Sequence, residues 1–119
     1  SMNFFTGKFI SSSNSFSLNN ALINLNNYQF DNNPSDQSDI IFGIRPEDIS
    51  VSDSQDGMEF KIELIEPMGA DTLIWLSFEN TPFSVRLEGS SEYKLGDVII
   101  INFDIKRASI FDKKSELRL

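Results

Sequence analysis

Arg45 is the residue best equipped to grip an anion. Its planar guanidinium follows a short apolar run, Ile40, Ile41 and Phe42, and lies in the heptapeptide Gly43-Ile44-Arg45-Pro46-Glu47-Asp48-Ile49. Two chemistries are open there: an ion pair with Glu47 or Asp48 that ties a corner, or an exposed fork that holds a partner's carboxylate or phosphate. Carboxylate pairs are the other candidates, Asp53 with Asp56 and Glu66 with Asp71. With 18 acidic residues such pairs arise by chance, and no flanking apolar segment is placed to raise one pKa for acid-base work. The chain has no histidine and no cysteine, which excludes Ser-His-Asp and Cys-His catalysis, thiolate metal sites and disulfides. The acidic stretch from Asp53 to Gly57 lacks the ligand spacing and closing glutamate of a calcium loop, and reads as a solvated turn. No GxxxxGK[ST] phosphate cradle is present, so no ATP site is expected within these residues.

The elements that must position these side chains read as short strands. Pro46 fixes its own φ, removes a donor and pushes Arg45 to extended geometry, so the strand that begins at Ile40 has to turn there. Upstream, Phe4-Phe5, Phe9-Ile10, Phe16 with Leu18, and Ala21, Ile23, Leu25 predict a small meander, with turns at Gly7 and across Ser11 to Asn14. Asp31 to Asp39 holds no apolar residue and a central proline, which predicts a surface loop. Downstream, Met58, Phe60, Ile62 and Leu64 alternate with Glu59, Lys61 and Glu63 until Ile65 breaks the parity, so a bend is expected near Glu66-Pro67, with a turn at Gly69. Thr72 to Phe78 is apolar on both parities, which places Trp75 in a covered position, within the fold or beneath a partner copy. Val98 to Ile101 with Phe103 and Ile105 reads as a central strand, and no window sustains the stripe of a long amphipathic helix.

At 119 residues and 39% apolar content, one all-β domain with a single core is expected. No run approaches the ~18 apolar residues of a membrane-spanning helix and no signal peptide opens the chain, so a soluble piece is expected. The net charge of −8 argues against a nucleic-acid partner. Arg86, Lys94, Lys106, Arg107, Lys113, Lys114 and Arg118 nevertheless gather towards the C-terminal end.

Taken in order, Met2-Asn3-Phe4, GIRPEDI (43–49), EPMGADT (66–72), FSVRLEG (83–89), Leu95-Gly96-Asp97 and IFDKKSELRL (110–119) resemble the C-terminal TOBE/OB-like accessory domain of ATP-binding subunits of bacterial ABC importers. The likeness is greatest to the sugar-uptake branch, relatives of the maltose and glycerol-phosphate import ATPases. It runs over nearly the whole chain and implies a small OB-like barrel of antiparallel strands spanning residues 2–119, with the ATPase domain, its ATP and its Mg2+ outside this chain. It further implies a regulatory and dimerising role in a cytoplasmic subunit peripheral to the inner face of the membrane. A second copy, membrane permease subunits and a regulatory protein are the expected partners. By the resemblance, Phe4, Phe5, Arg86, Phe111 and Asp112 are candidate protein contacts, and Gly43, Arg45, Pro46, Glu47, Glu66, Gly69 and Asp71 form a candidate structural or regulatory corner. Two other readings stay open: a ligand-sensing accessory domain of an oxyanion, polyamine or metal importer, and a stand-alone OB-type binding module. The sequence departs from the family's pattern at Lys114-Ser115-Glu116, where a Thr-Gly pair is usual, and at Ala108-Ser109, where a bulky or histidine residue is common.

Overall fold

The computed structural model describes residues 1–119, and its regular structure is eleven strands with two single-turn 3-10 segments, at Pro46–Asp48 and Ile105–Arg107. No helix is long and apolar enough to cross a membrane. The chain forms two compact units interleaved in sequence, one of residues 1–3 and 45–104 and the other of residues 4–44 and 105–119. The strands lie in three sheets, the all-β, OB-like arrangement of short antiparallel strands expected from sequence, and the sheets do not close on themselves into a barrel.

The unit of residues 4–44 and 105–119 is one five-stranded sheet. Its strands are β1 (Asn3–Ile10, whose first residue belongs to the other unit), β2 (Ser15–Leu18), β3 (Ala21–Asn24), β4 (Asp39–Ile44) and β11 (Ser109–Asp112), in the order β11-β4-β1-β2-β3. Alternation fixes its two faces. Phe5 and Phe9 are buried with Phe16, Ile40, Phe42 and Ile110, whereas Phe4, Thr6 and Lys8 point outward. The Phe42 ring lies against Phe16 at 5.5 Å between centroids and against Phe5 at 6.3 Å.

Gly7 lies inside β1, not in the turn expected of it. A Cβ there would fall 2.2 Å from the Ser17 carbonyl oxygen and 2.8 Å from the Phe16 ring, so only glycine lets β1 approach β2 this closely. The 31–39 loop is largely exposed, as expected, and the N–H groups of Asp31 and Asn32 donate to the Leu119 carbonyl at 2.8 and 3.2 Å.

In the unit of residues 1–3 and 45–104, the strands are β5 (Ile49–Ser52), β6 (Met58–Lys61), β7 (Leu64–Met68), β8 (Asp71–Phe78), β9 (Thr81–Glu88) and β10 (Val98–Phe103). They form two three-stranded sheets, β5-β10-β6 and β7-β8-β9. As its composition predicts, β10 is central, with Ile101 paired to Val51 on one side and Met58 on the other. The Phe60 ring joins the cores, 5.9 Å from Phe78 and 5.2 Å from Phe83.

The alternating run from Met58 breaks at Ile62-Glu63, not at Glu66-Pro67. Buried Ile62 leaves the ladder there, donating to the Asp97 carbonyl at 2.8 Å and accepting from Gly96 N–H at 3.0 Å, and β7 starts afresh on β8. Pro67 is then harmless within an edge strand. β8 is amphipathic in fact: Thr72, Ile74, Leu76 and Phe78 are buried, while Asp71, Leu73, Trp75 and Ser77 are half-exposed. Trp75 is therefore not enclosed, and its indole N–H donates to the Glu66 carboxylate.

Candidate functional site

The structure sorts the residues singled out by sequence into three places. The first is an outward row on the five-stranded sheet. β11 pairs β4 with Phe111 opposite Ile41, β4 neighbours β1, and the Phe4 ring stands 6.5 Å from the Phe111 ring at 59°, within the range of a favourable aromatic pair. Phe4, Thr6, Ile41, Phe111 and Glu116 line a groove of about 360 Å3. Phe4 is 53% exposed on this face, whereas Phe5 is 1% exposed and belongs to the core, which removes Phe5 from the candidate contacts.

The segment after β11 props up one side of this row. Asp112 Oδ2 accepts from the Ser115 N–H at 2.8 Å and the Ser115 hydroxyl at 2.9 Å, closing the Asp112–Ser115 turn. These bonds, the Ser115 N–H foremost, hold the Asp112 carboxyl below its ordinary value of 3.8. The carboxylate is thus engaged in the turn. Glu116 takes a left-handed conformation, φ 62, at the end of the segment where the resemblance expects a glycine. The chain then folds back, with Asp112 N–H on the Leu117 carbonyl at 2.9 Å and Leu119 N–H on the Ile110 carbonyl at 2.7 Å, so the β11 edge of the sheet is occupied by the chain's own last residues.

The second place is the proline corner. Arg45 is extended (φ −77, ψ 148) and Pro46 opens the 3-10 turn, where its missing N–H costs nothing. The corner closes through the backbone, Asp48 N–H to the Arg45 carbonyl at 3.0 Å, and not through the ion pair that sequence offered: the Arg45 and Glu47 side chains are exposed. Pro46 is buried in the corner's packing. Gly43 is also buried, paired with Ser109 in the other unit's sheet.

The third place is the outward face of β7-β8-β9. Register puts Glu66, Leu73 and Arg86 in one cross-strand row and Met68, Asp71 and Glu88 in the next. Arg86 Nη1 donates to Asp71 Oδ2 at 3.1 Å. Gly69 and Ala70 make the two-residue turn between β7 and β8, with Gly69 at φ 76 and open space around it. Glu66, Asp71 and Arg86, which the chain order separates, are hence neighbours on one surface.

Sequence reasoning missed Ile41, Thr6 and Glu116 in the first row, because pairing between distant strands sets that face. It also missed Asn3. The Asn3 side-chain amide donates to the Ser84 carbonyl at 2.8 Å and accepts from the Ser84 N–H at 3.0 Å, so one side chain stands in for a strand along β9 and leaves Ser84 buried. The only signal was the Met-Asn-Phe opening itself.

Small antiparallel sheets with no long helix define an all-β, OB-like domain. The chain belongs to the TOBE domain family, whose profile matches residues 42–111, and the MalK OB fold domain profile matches residues 1–49. Among curated proteins it is 30% identical over 87 residues to the oligosaccharides import ATP-binding protein MsmX of Bacillus subtilis, covering 68% of this chain and 24% of that one. It is 33% identical over 82 residues to the sn-glycerol-3-phosphate import ATP-binding protein UgpC of Psychromonas ingrahamii, covering 62% and 22%. To the multiple sugar-binding transport ATP-binding protein MsmK of Streptococcus mutans it is 29% identical over 83 residues, covering 65% and 22%. The chain thus spans under a quarter of the length of these curated relatives.

Proposed function

We propose that this chain is the accessory domain of the ATP-binding subunit of an ABC importer for a carbohydrate or related solute, and that it serves dimerisation and regulation. The TOBE domain match and the import ATP-binding relatives support the parent's class. The observation that carries the contact role is the outward row of exposed Phe4 with half-buried Ile41 and Phe111, a paired aromatic centre beside a groove on an otherwise polar strand face. A second copy of the subunit is its occupant in this reading, and the isologous symmetry of a dimer would bring the same row from both copies together. Nucleotide and Mg2+ chemistry belong to the parent's ATPase domain, and solute recognition to other subunits. The parent acts in the cytoplasm beneath permease subunits.

The test is Phe111→Ala in the ATP-binding subunit that carries this domain, followed by thermal melting and sedimentation. Loss of dimer with a melting point moved by no more than a few degrees supports the contact. A large stability loss without change of oligomeric state contradicts it. For the 119-residue chain alone, calorimetry should find no Mg2+-dependent ATP binding in the micromolar range; such binding would contradict the division of labour.

A further inference from the structure

The 18 acidic residues are not spread evenly. The unit of residues 1–3 and 45–104 carries thirteen acidic and four basic side chains, a net charge of −9, while the unit of residues 4–44 and 105–119 carries five acidic and six basic ones, a net of +1. Within the acidic unit the β7-β8-β9 sheet keeps an apolar centre on its outward face. Leu64 (49% exposed) pairs with half-exposed Trp75, Met68 (50% exposed) ends the same edge strand, and half-exposed Leu73 lies between their rows. Carboxylates surround that centre: Glu66 beside Leu73, Asp71 beside Met68 with Glu88 on its far side, and Glu63, which accepts from the Ser77 hydroxyl at 2.9 Å on the same face of β8. Arg86, the one cation on the face, is paired with Asp71.

We propose that this face docks a basic, amphipathic protein segment, one that alternates aliphatic side chains with Lys or Arg. The apolar centre supplies the area whose removal from water favours binding, and the acidic surround selects the sign of the partner. The same charge argues against the other occupants. Phosphate backbones and anionic lipid surfaces are repelled by a unit of charge −9. A second copy meeting face to face would set carboxylates against carboxylates across a two-fold axis. The face is independent of the Phe4, Ile41 and Phe111 row, since the two lie in different units.

Trp75 is the only tryptophan and sits in the middle of the face, so its emission reports occupancy directly. The probe is a synthetic alternating Leu-Lys peptide matched to the eight residues of β8, against a Leu-Glu peptide of the same length. The Leu-Lys peptide should blue-shift Trp75 saturably and the Leu-Glu peptide should not; salt should weaken the interaction several-fold between about 50 and about 500 mM. Leu64→Ser with Met68→Ser, both at exposed positions, should weaken it about tenfold, and Glu66→Gln with Glu88→Gln should remove the preference for the basic peptide. No shift, an equal shift with both peptides, or an affinity unchanged by the Leu64 and Met68 substitutions would overturn the proposal. So would a blue shift that grows with protein concentration alone and tracks dimer formation in sedimentation, which would identify a second copy as the occupant.

Discussion

Two adjacent phenylalanines at the start of β1 should respond to the same substitution with very different losses of stability. Phe5 is 1% exposed with its ring 6.3 Å from that of Phe42, so Phe5→Ala removes a fully buried ring from the five-stranded unit and leaves a cavity. Such truncations cost about 3–5 kcal/mol, a large share of the roughly 5–15 kcal/mol that stabilises a domain. Phe4 is 53% exposed and packs on one side against Phe111. Full burial of such a side chain contributes about 1.5–3 kcal/mol, so half of that, reduced by the groove's openness to water, sets a loss of about 1 kcal/mol or less for Phe4→Ala. Urea unfolding of the 119-residue chain, followed by far-UV circular dichroism, should show the Phe5→Ala midpoint falling several times further than that of Phe4→Ala, with equal slopes. Equal losses, or a greater loss from Phe4→Ala, would refute the assignment of faces in β1 and with it the outward aromatic row.

Gly7→Ala should cost about 1–3 kcal/mol or more in the same assay, because the new methyl meets the Ser17 carbonyl oxygen at 2.2 Å, which is backbone and cannot swing aside. Glu116→Gly should stabilise by about 0.5–1 kcal/mol, since it relieves a left-handed glutamate at φ 62 by slightly more than glycine's added chain entropy costs; a lower unfolding midpoint for this variant would contradict that balance. Asp39 is held below its ordinary value of 3.8 chiefly by its hydrogen bond and charge pairing with Lys8, and Asp112 chiefly by Ser115. Their folded pKa values lie under the unfolded ones, so their stabilisation is present above about pH 4 and is lost as pH falls through the folded values. The Asp39→Asn, Asp112→Asn double variant should accordingly lose less stability than the parent between about pH 4 and pH 2, and an identical pH profile would contradict the assignment.

What the sequence made legible is what depends on near neighbours. Alternation located β3, β6 and β9, continuous apolar runs located β8 and β10, Pro46 located the corner, and the polar 31–39 run located a surface loop. Which face of a strand is covered was a different matter. The both-parity apolar content of β8 left the face of Trp75 ambiguous, and only the alternation of burial along the folded strand shows that it lies half-buried on the outward face. Gly7 looked like a turn because the close approach of Ser17 and Phe16 is a tertiary fact. The bend at Ile62-Glu63 has no breaker residue; it is set by hydrogen bonds to Gly96 and Asp97, far along the chain. Of the candidate site, Phe4 and Phe111 were legible by type, but Ile41 joins them only through the β11-β4 register, and Phe5 leaves them only because adjacent residues in a strand face opposite ways.

The most direct measurement of the central claim is the alkylation rate of a cysteine placed at Thr6, which is exposed in this chain and lines the groove beside Phe4 and Phe111. The chain has no cysteine of its own, so modification at residue 6, located by mass spectrometry, reports this groove alone, with Ser54→Cys in an exposed turn as the reference. In the assembled ATP-binding subunit the account predicts that Thr6→Cys is protected relative to Ser54→Cys and becomes reactive when the assembly is diluted to monomer. Equal rates at both positions in the assembled and the diluted subunit would mean that no protein covers the Phe4, Ile41 and Phe111 row, and the account would be wrong.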